Sequence, residues 1–462
     1  MEREKLGSRL GFILISAGCA IGIGNVWKFP YVAGQNGGGF FVLLYLAFLV
    51  IMGIPVLSME FSMGRRAQSS PVRMYHRIAP DKKPWRAHGY VALAGNVLLM
   101  MFYTSVSGWM IQYFFYMVSG KFSQVGAEQQ GEYVENVFSG MLSSPWILML
   151  FVAAVVAVGF IVCSFNMQKG LEKVTKIMMI ALLVLIIVLA IHSLTLDGAG
   201  AGLEFYLKPN LESIKKIGVF KVVVAAMNQA FFTLSLGIGA MAIFGSFIDK
   251  KRTLLGESVT VAGLDTFVAI MSGLIIFPAC STYNIEVDAG PNLIFLTLPR
   301  VFMNMKLGGL WGSLFFLFMT FAAMSTVFAV FQNIISCLEE ITGWSKKKVC
   351  ILGGVGMFIL SIPCILGFNV LAGMKPIGEL SGILDIEDYV VSNIILPLGS
   401  LAVVIFCTHK FGWGFDNYMD EANQGKGFKV KKWMRIYMSY ILPVIIGVIA
   451  VISIIAPFTK KI

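Results

Sequence analysis

The chain has 462 residues, 57% of them hydrophobic and only 13% charged, and its mean hydropathy is +0.80. Soluble domains carry about 25% charged residues, so a soluble globular protein is excluded and an all-α integral membrane protein with little mass outside the bilayer is expected. The formal net charge of +11 does not imply a nucleic-acid partner, because the basic residues sit in short connectors, where they orient a chain in a membrane.

Apolar segments fall near residues 11–31, 38–63, 89–118, 146–163, 174–192, 219–247, 258–279, 308–337, 349–369, 386–407 and 434–457. Each is long enough to cross a hydrocarbon core about 30 Å thick, so about 11 transmembrane helices are predicted. No cleavage-site pattern follows the first segment, which therefore reads as a retained helix.

That first segment is written to come apart. Between Ser16 and Pro30 it carries Gly18, Gly22, Gly24, Asn25 and Lys28. Glycine weakens a helix, and backbone groups freed within hydrocarbon must find partners. Something bound there would provide them.

Basic connectors alternate along the chain. Arg3, Lys5 and Arg9 precede the first segment, and Arg65, Arg66, Arg73 and Arg77 follow the second. Lys169, Lys173 and Lys176 lie at the fifth, Lys250 to Arg252 follow the sixth, Lys346 to Lys348 the eighth, and Lys426 to Lys432 the tenth. All fall on one side if the N-terminus is cytoplasmic, which puts the C-terminus outside. In the outer connector 281–307, the stretch 292–299 reads equally as a short helix over an entrance or as a surface loop.

The sixth segment contains Asn228, Gln229, Thr233, Ser235 and the run Gly237-Ile238-Gly239, matching Gly22-Ile23-Gly24 of the first. Paired, glycine-interrupted helices five apart point to a secondary-transporter site. Segments one to five (residues 1–192) and six to ten (193–409) then form a 5+5 inverted repeat with discontinuous first and sixth helices, and 410–462 supplies a cytoplasmic loop and an eleventh helix.

Broken helix ends expose carbonyls that suit a cation. Carbonyls near Gly18, Ala20 and Ile21, with the side-chain oxygens of Asn25 and Thr233, could ligate Na⁺. In the eighth segment Ser325 and Thr326 follow Ala322; adjacent hydroxyls there either bond back to the preceding turn or serve as ligands. Carboxylates within a membrane are functional or paired. Asp265 could ligate a cation, and Glu60 reads equally as a structural acid holding freed N–H groups. The seven cysteines have no metal or disulfide spacing, and with four histidines and no GxxxxGK[ST] or HExxH run neither an ATPase nor a metal enzyme is indicated.

The run Gly18-x-Ala20-Ile21-Gly22-Ile23-Gly24-Asn25-Val26-Trp27-Lys28-Phe29-Pro30, followed by Asn36-Gly37-Gly38-Gly39, resembles the neurotransmitter:sodium symporter family. So do Glu60-Phe61-x-Met63-Gly64-Arg65, Phe102-Tyr103-x-x-x-Ser107-Gly108-Trp109 and Gln229-x-Phe231-Phe232-Thr233-Leu234-Ser235-Leu236-Gly237. The resemblance spans essentially the whole chain and implies the leucine-transporter-like fold and sodium-coupled amino acid transport. One sodium ion would be held by Ala20, Asn25, Thr233, Asp265 and the substrate carboxylate, and a second by Gly18, Ile21, Ala322, Ser325 and Thr326. The substrate site would comprise Cys19, Ala20, Ile23, Gly24, Leu99, Tyr103, Phe232, Thr233, Ser235, Ile238, Thr326 and Val330, with the Tyr103 hydroxyl on the carboxylate. Phe232 would close it from outside, under an outer gate of Lys28 and Asp388, and Arg3 with Glu340 would form the inner gate.

Departures from the family pattern carry information. Amine-carrying members have Asp where Gly22 stands, so here the substrate must bring its own carboxylate, as a zwitterionic amino acid does. Asp265 stands where many relatives have Asn, and Ala269 where chloride-dependent ones have Ser, so no chloride requirement is expected. Lys28 replaces the usual Arg and cannot make its planar bidentate pair, which implies a looser or water-bridged outer gate. Ile180 stands where relatives place a helix-opening Pro ten residues after Gly170. The expected function is symport of neutral, hydrophobic or aromatic amino acids with two sodium ions across a bacterial-type plasma membrane, a monomer being sufficient for transport. Glycine or alanine is the small-substrate alternative, and a non-transporting receptor or scaffold the alternative of another class.

Overall fold

A computed structural model gives the fold, and it describes residues 6–122, 129–287, 291–374 and 382–455. The first helix, α1, runs from Arg9 to Ala20, and its N-cap Ser8 accepts the Gly11 N–H at 3.0 Å. The chain restarts as α2, Gly24–Gln35, bent by 57° from α1. There follow α3 (Gly39–Ala67), α4 (Pro71–Ile78), α5 (Lys83–Val118), α6 (Gln130–Leu142), α7 (Pro145–Ser164) and α8 (Gly170–Leu194). Next come α9 (Ala199–Leu207), α10 (Val219–Thr233), α11 (Ala240–Gly245), α12 (Leu254–Thr282) and α13 (Leu293–Asn304). The remaining helices are α14 (Gly308–Thr342), α15 (Lys346–Leu366), α16 (Ile383–Thr408), α17 (Phe415–Ala422) and α18 (Met434–Ile455).

Among the described residues nine helices are long and apolar enough to cross a membrane, and the bent α1–α2 pair makes a tenth. The protein is an all-α, multi-pass membrane bundle. Its outer surface shows why. On α8 the residues Ile177, Val184 and Ile191, spaced by seven, are all exposed, as are Val444, Val448, Val451 and Ile455 on α18. Branched apolar side chains at helical spacing on an outer face are tolerated where the neighbour is lipid, because the helix already satisfies its own backbone.

The middle of the bundle is built on α14 and α5, which pack along each other more extensively than any other pair, while α1 lies against α14, α12 and α8. All of α1 from Gly11 to Ala20 is buried, so its broken end is held inside protein. The stretch 292–299 belongs to the helix α13, whose Leu293, Ile294 and Phe295 are buried. The Tyr113 hydroxyl on α5 donates to Phe295 O at 3.1 Å, and the Trp109 and Phe295 rings meet edge-on at 5.6 Å. A run that is apolar on several faces cannot lie on a surface loop.

Candidate functional site

Helix α1 ends because Ile21 turns to an extended conformation (ψ 92°) after its N–H bonds Ala17 O. The next two amides are taken by side chains: Gly22 N–H donates to Asn25 Oδ1 at 3.3 Å and Ile23 N–H to the Tyr103 hydroxyl at 3.0 Å. Gly22 is required by close approach, since a Cβ there would sit 2.5 Å from the Tyr103 oxygen and 2.9 Å from Thr326 Oγ1.

Two oxygen clusters flank this break. In the first, Asn25 Nδ2 donates to Asp265 Oδ1 at 2.7 Å and to Thr233 Oγ1 at 3.0 Å, and the Thr233 hydroxyl donates to Asp265 Oδ2 at 2.7 Å. All three side chains are buried. In the second, the Thr326 hydroxyl lies 3.2 Å from Gly18 O, 3.4 Å from Ile21 O and 3.4 Å from Ala322 O, while Ser325 Oγ donates to Ala322 O at 2.9 Å. The hydroxyls therefore make the back-bond to their own turn, and Thr326 also reaches the carbonyls freed on α1. The gathered carbonyl and hydroxyl oxygens of the second cluster, like the carboxylate and hydroxyl of the first, suit a cation.

Across the site, α10 stops at Thr233 and α11 begins at Ala240. The six residues between include Ser235 at φ 49°, Gly237 at φ 94° and Gly239 at φ 67°, conformations that glycine adopts without a Cβ clash. Glu60 Oε1 accepts the freed Gly237 N–H at 2.6 Å, so its role is that of a structural acid.

One cavity lies between these breaks. Cys19, Ala20, Ile23, Gly24, Leu99, Tyr103, Phe232, Thr233, Ser235, Ile238 and Thr326 all line it, together with Gly22, Asn25, Trp27, Lys28 and Asp388. Val330 does not. One turn beyond Thr326 on α14, about 6 Å along the axis, it is fully buried and is not among the residues lining the cavity. Phe102, Val106, Leu384, Val391 and Leu396 also line the cavity and were missed by the sequence reading. Their signal was helical spacing: Phe102 and Val106 lie three and seven residues after Leu99, and Leu384 and Val391 flank Asp388 on one face.

The Lys28 ammonium sits over the Phe232 ring, 3.5 Å from its centroid. Asp388 accepts from the Ser392 hydroxyl at 2.6 Å. Among the described residues no ion pair joins Lys28 to Asp388. Arg3 lies outside the described residues. Glu340 accepts from Ser70 N–H at 2.9 Å and Ser70 Oγ at 2.7 Å, while its backbone carbonyl takes a bond from Arg73. Nearby, Glu172 on α8 accepts Gly7 N–H at 2.7 Å and Ser8 Oγ at 2.8 Å, and Arg9 pairs with Glu257 on α12 at 2.9 Å.

A many-span bundle whose broken first helix borders both an internal cavity and clustered oxygens defines a membrane solute carrier. The chain belongs to the sodium:neurotransmitter symporter family, whose model matches residues 3–135 and 134–461, and it is accordingly a sodium-coupled symporter and not an enzyme. It is 32% identical to an uncharacterized sodium-dependent transporter of Bacillus subtilis (strain 168), over 91% of each chain. It is 31% identical to an uncharacterized sodium-dependent transporter of Haemophilus influenzae (strain ATCC 51907 / DSM 11121 / KW20 / Rd), over 97% of each chain. Among solved structures, the crystal structure of MhsT in complex with L-phenylalanine is similar at TM-score 0.86 and 36% identity, covering 98% of this chain and 100% of that one.

Proposed function

We propose that this chain carries neutral amino acids with bulky apolar or aromatic side chains, each with two sodium ions, by alternating access. The observation that supports this most is the composition of the cavity wall. Around Gly22 there is no acidic side chain to receive an amine alone, and the remainder is apolar apart from hydroxyls, Asn25, and the charges of Lys28 and Asp388. A zwitterion fits: its carboxylate would accept a hydrogen bond from the Tyr103 hydroxyl, whose oxygen already accepts from Ile23 N–H, and its side chain would lie among Leu99, Phe102, Val106 and Ile238. The similarity to MhsT, solved with L-phenylalanine, favours a substrate of that size.

The first sodium ion would lie with Ala20, Asn25, Thr233 and Asp265, and the second with Gly18, Ile21, Ala322, Ser325 and Thr326. Moving two charges inward supplies roughly 4.6 kcal/mol per 100 mV before any counter-movement. Asp265 provides fixed negative charge, and Ala269 offers no hydroxyl to a chloride ion. In this reading α10, its glycine linker and α11 form one interrupted span, bringing the total to eleven. Residues 1–192 and 193–409 then form the two inverted repeats, and 410–462 supplies a loop and a last helix. The basic connectors place the N-terminus in the cytoplasm and the C-terminus outside a bacterial-type plasma membrane. One chain contains every group the cycle uses.

The test is uptake into proteoliposomes from a panel of amino acids, with sodium exchanged for choline. Saturable, sodium-dependent uptake of phenylalanine-sized neutral amino acids is expected. Equal uptake in choline, or preference for glycine, overturns the proposal.

A further inference from the structure

The α10–α11 linker carries a carbonyl with no helical partner, that of Ile238, and the structure gives it one from a different helix. Asn96, fully buried on α5, donates its side-chain amide to Ile238 O at 2.7 Å and to Ala92 O in its own helix, also at 2.7 Å. Asn96 precedes Leu99 by three residues and Tyr103 by seven, so it stands on the cavity-facing stripe of α5. Ile238 is flanked by Gly237 and Gly239, both at positive φ, and so lacks the restraint that a helix imposes on its residues. Glu60 fixes the linker from one side through Gly237 N–H at 2.6 Å, and Asn96 fixes it from the other.

A second contact acts on the same residue. Next to Asn96, Gly95 lets the α5 backbone approach closely: a Cβ there would lie 3.2 Å from Ile238 Cγ2 and 2.9 Å from Ile395 Cγ2. The amide bond fixes the Ile238 peptide and the missing Cβ leaves room for its side chain, which lines the cavity. A buried donor that meets a freed carbonyl is well placed to set local geometry, because a buried carbonyl left unpaired is strongly unfavourable.

We propose that Asn96 is a positioning residue that, with Gly95, fixes Ile238 and thereby sets how large a side chain the substrate cavity accepts. This rests on the amino acid reading above. Sodium-dependent binding of phenylalanine and of alanine is to be measured for wild type, Asn96→Leu and Gly95→Ala, together with amide hydrogen exchange across residues 236–241 without substrate. In Asn96→Leu, affinity for phenylalanine falls at least about tenfold more than that for alanine, and exchange across 236–241 accelerates. In Gly95→Ala, which retains the amide, the phenylalanine-to-alanine affinity ratio falls several-fold through crowding of Ile238. If both substrates weaken equally in both variants, the residues are merely structural and the proposal is overturned. Should wild type bind neither amino acid, the substrate reading fails by itself, and unaltered exchange in Asn96→Leu then overturns the positioning of Ile238.

Discussion

The Lys28 ammonium rests 3.5 Å above the ring of Phe232, while Asp388 is satisfied by its own-helix neighbour Ser392. At this edge of the cavity the charged group thus rests on an aromatic face, and the contact is expected to latch it. Such contacts are worth about 0.5–2 kcal/mol. Lys28→Ala is expected to speed release of bound labelled amino acid roughly 2- to 30-fold. Lys28→Arg should slow it, since a planar guanidinium can also reach a carboxylate with two parallel bonds. Identical release rates for wild type and Lys28→Ala would show that the contact does not latch the cavity.

The two oxygen clusters are expected to make separable contributions to sodium dependence. Asn25→Ala removes the amide that joins Asp265 to Thr233, and Ser325→Ala removes a hydroxyl beside Ala322 O. Loss of one polar partner at a buried site costs about 1–3 kcal/mol, so each variant should need roughly 5- to 150-fold more sodium for half-maximal substrate binding. Sodium titration of binding in choline-balanced buffer is the measurement. A wild-type sodium curve in either variant removes that cluster from the ion path.

Transport should not respond to chloride. Asp265 is buried beside Asn25 and Thr233, where a carboxylate supplies locally the charge an anion would bring. Uptake into sealed vesicles should be the same in sodium chloride and sodium gluconate, and collapse in gluconate would remove Asp265 from that role.

Stability depends on a buried pair far from the cavity. The Arg65 guanidinium at the end of α3 bonds Glu421 Oε1 on α17 at 2.7 Å and Arg252 O at 2.8 Å, and both side chains of the pair are almost wholly buried. Removing one partner of a buried pair costs about 3–5 kcal/mol. Arg65→Met should therefore lower the melting temperature in detergent, and the Arg65→Met/Glu421→Met double variant should recover much of the loss. A double variant no better than the single would show that the carbonyl contacts matter more than the charge pair.

The break in the first helix was legible because three glycines and an asparagine in an apolar run have few other uses; Asp265 and Thr326 drew notice as residue types that hydrocarbon seldom tolerates without partners, while Tyr103 came from the family resemblance alone. What escaped the sequence lies in ordinary residues. Leu384, Val391 and Leu396 come to the cavity from α16; spacing puts the first two on the face of Asp388, but an apolar side chain gives no further sign in sequence of which neighbour it will meet. Val330 shows the converse: it lies one turn beyond the wall residue Thr326 and is fully buried, and an apolar side chain on that stripe does not say in sequence whether it faces cavity or core. Lys28 was read through charge alone, and its aromatic partner lies some two hundred residues away.

The bonds from Gly7 N–H and Ser8 Oγ to Glu172 bear on how shortened versions of this chain are to be interpreted. Cutting away the first eight residues would remove Arg3, but it would also take both of those donors from a carboxylate that is 5% exposed and has Lys176 3.8 Å away. A truncated protein that leaks or misfolds would thus report a stranded acid as readily as a missing inner gate. Only a point substitution at Arg3 that leaves residues 7 and 8 in place separates the two.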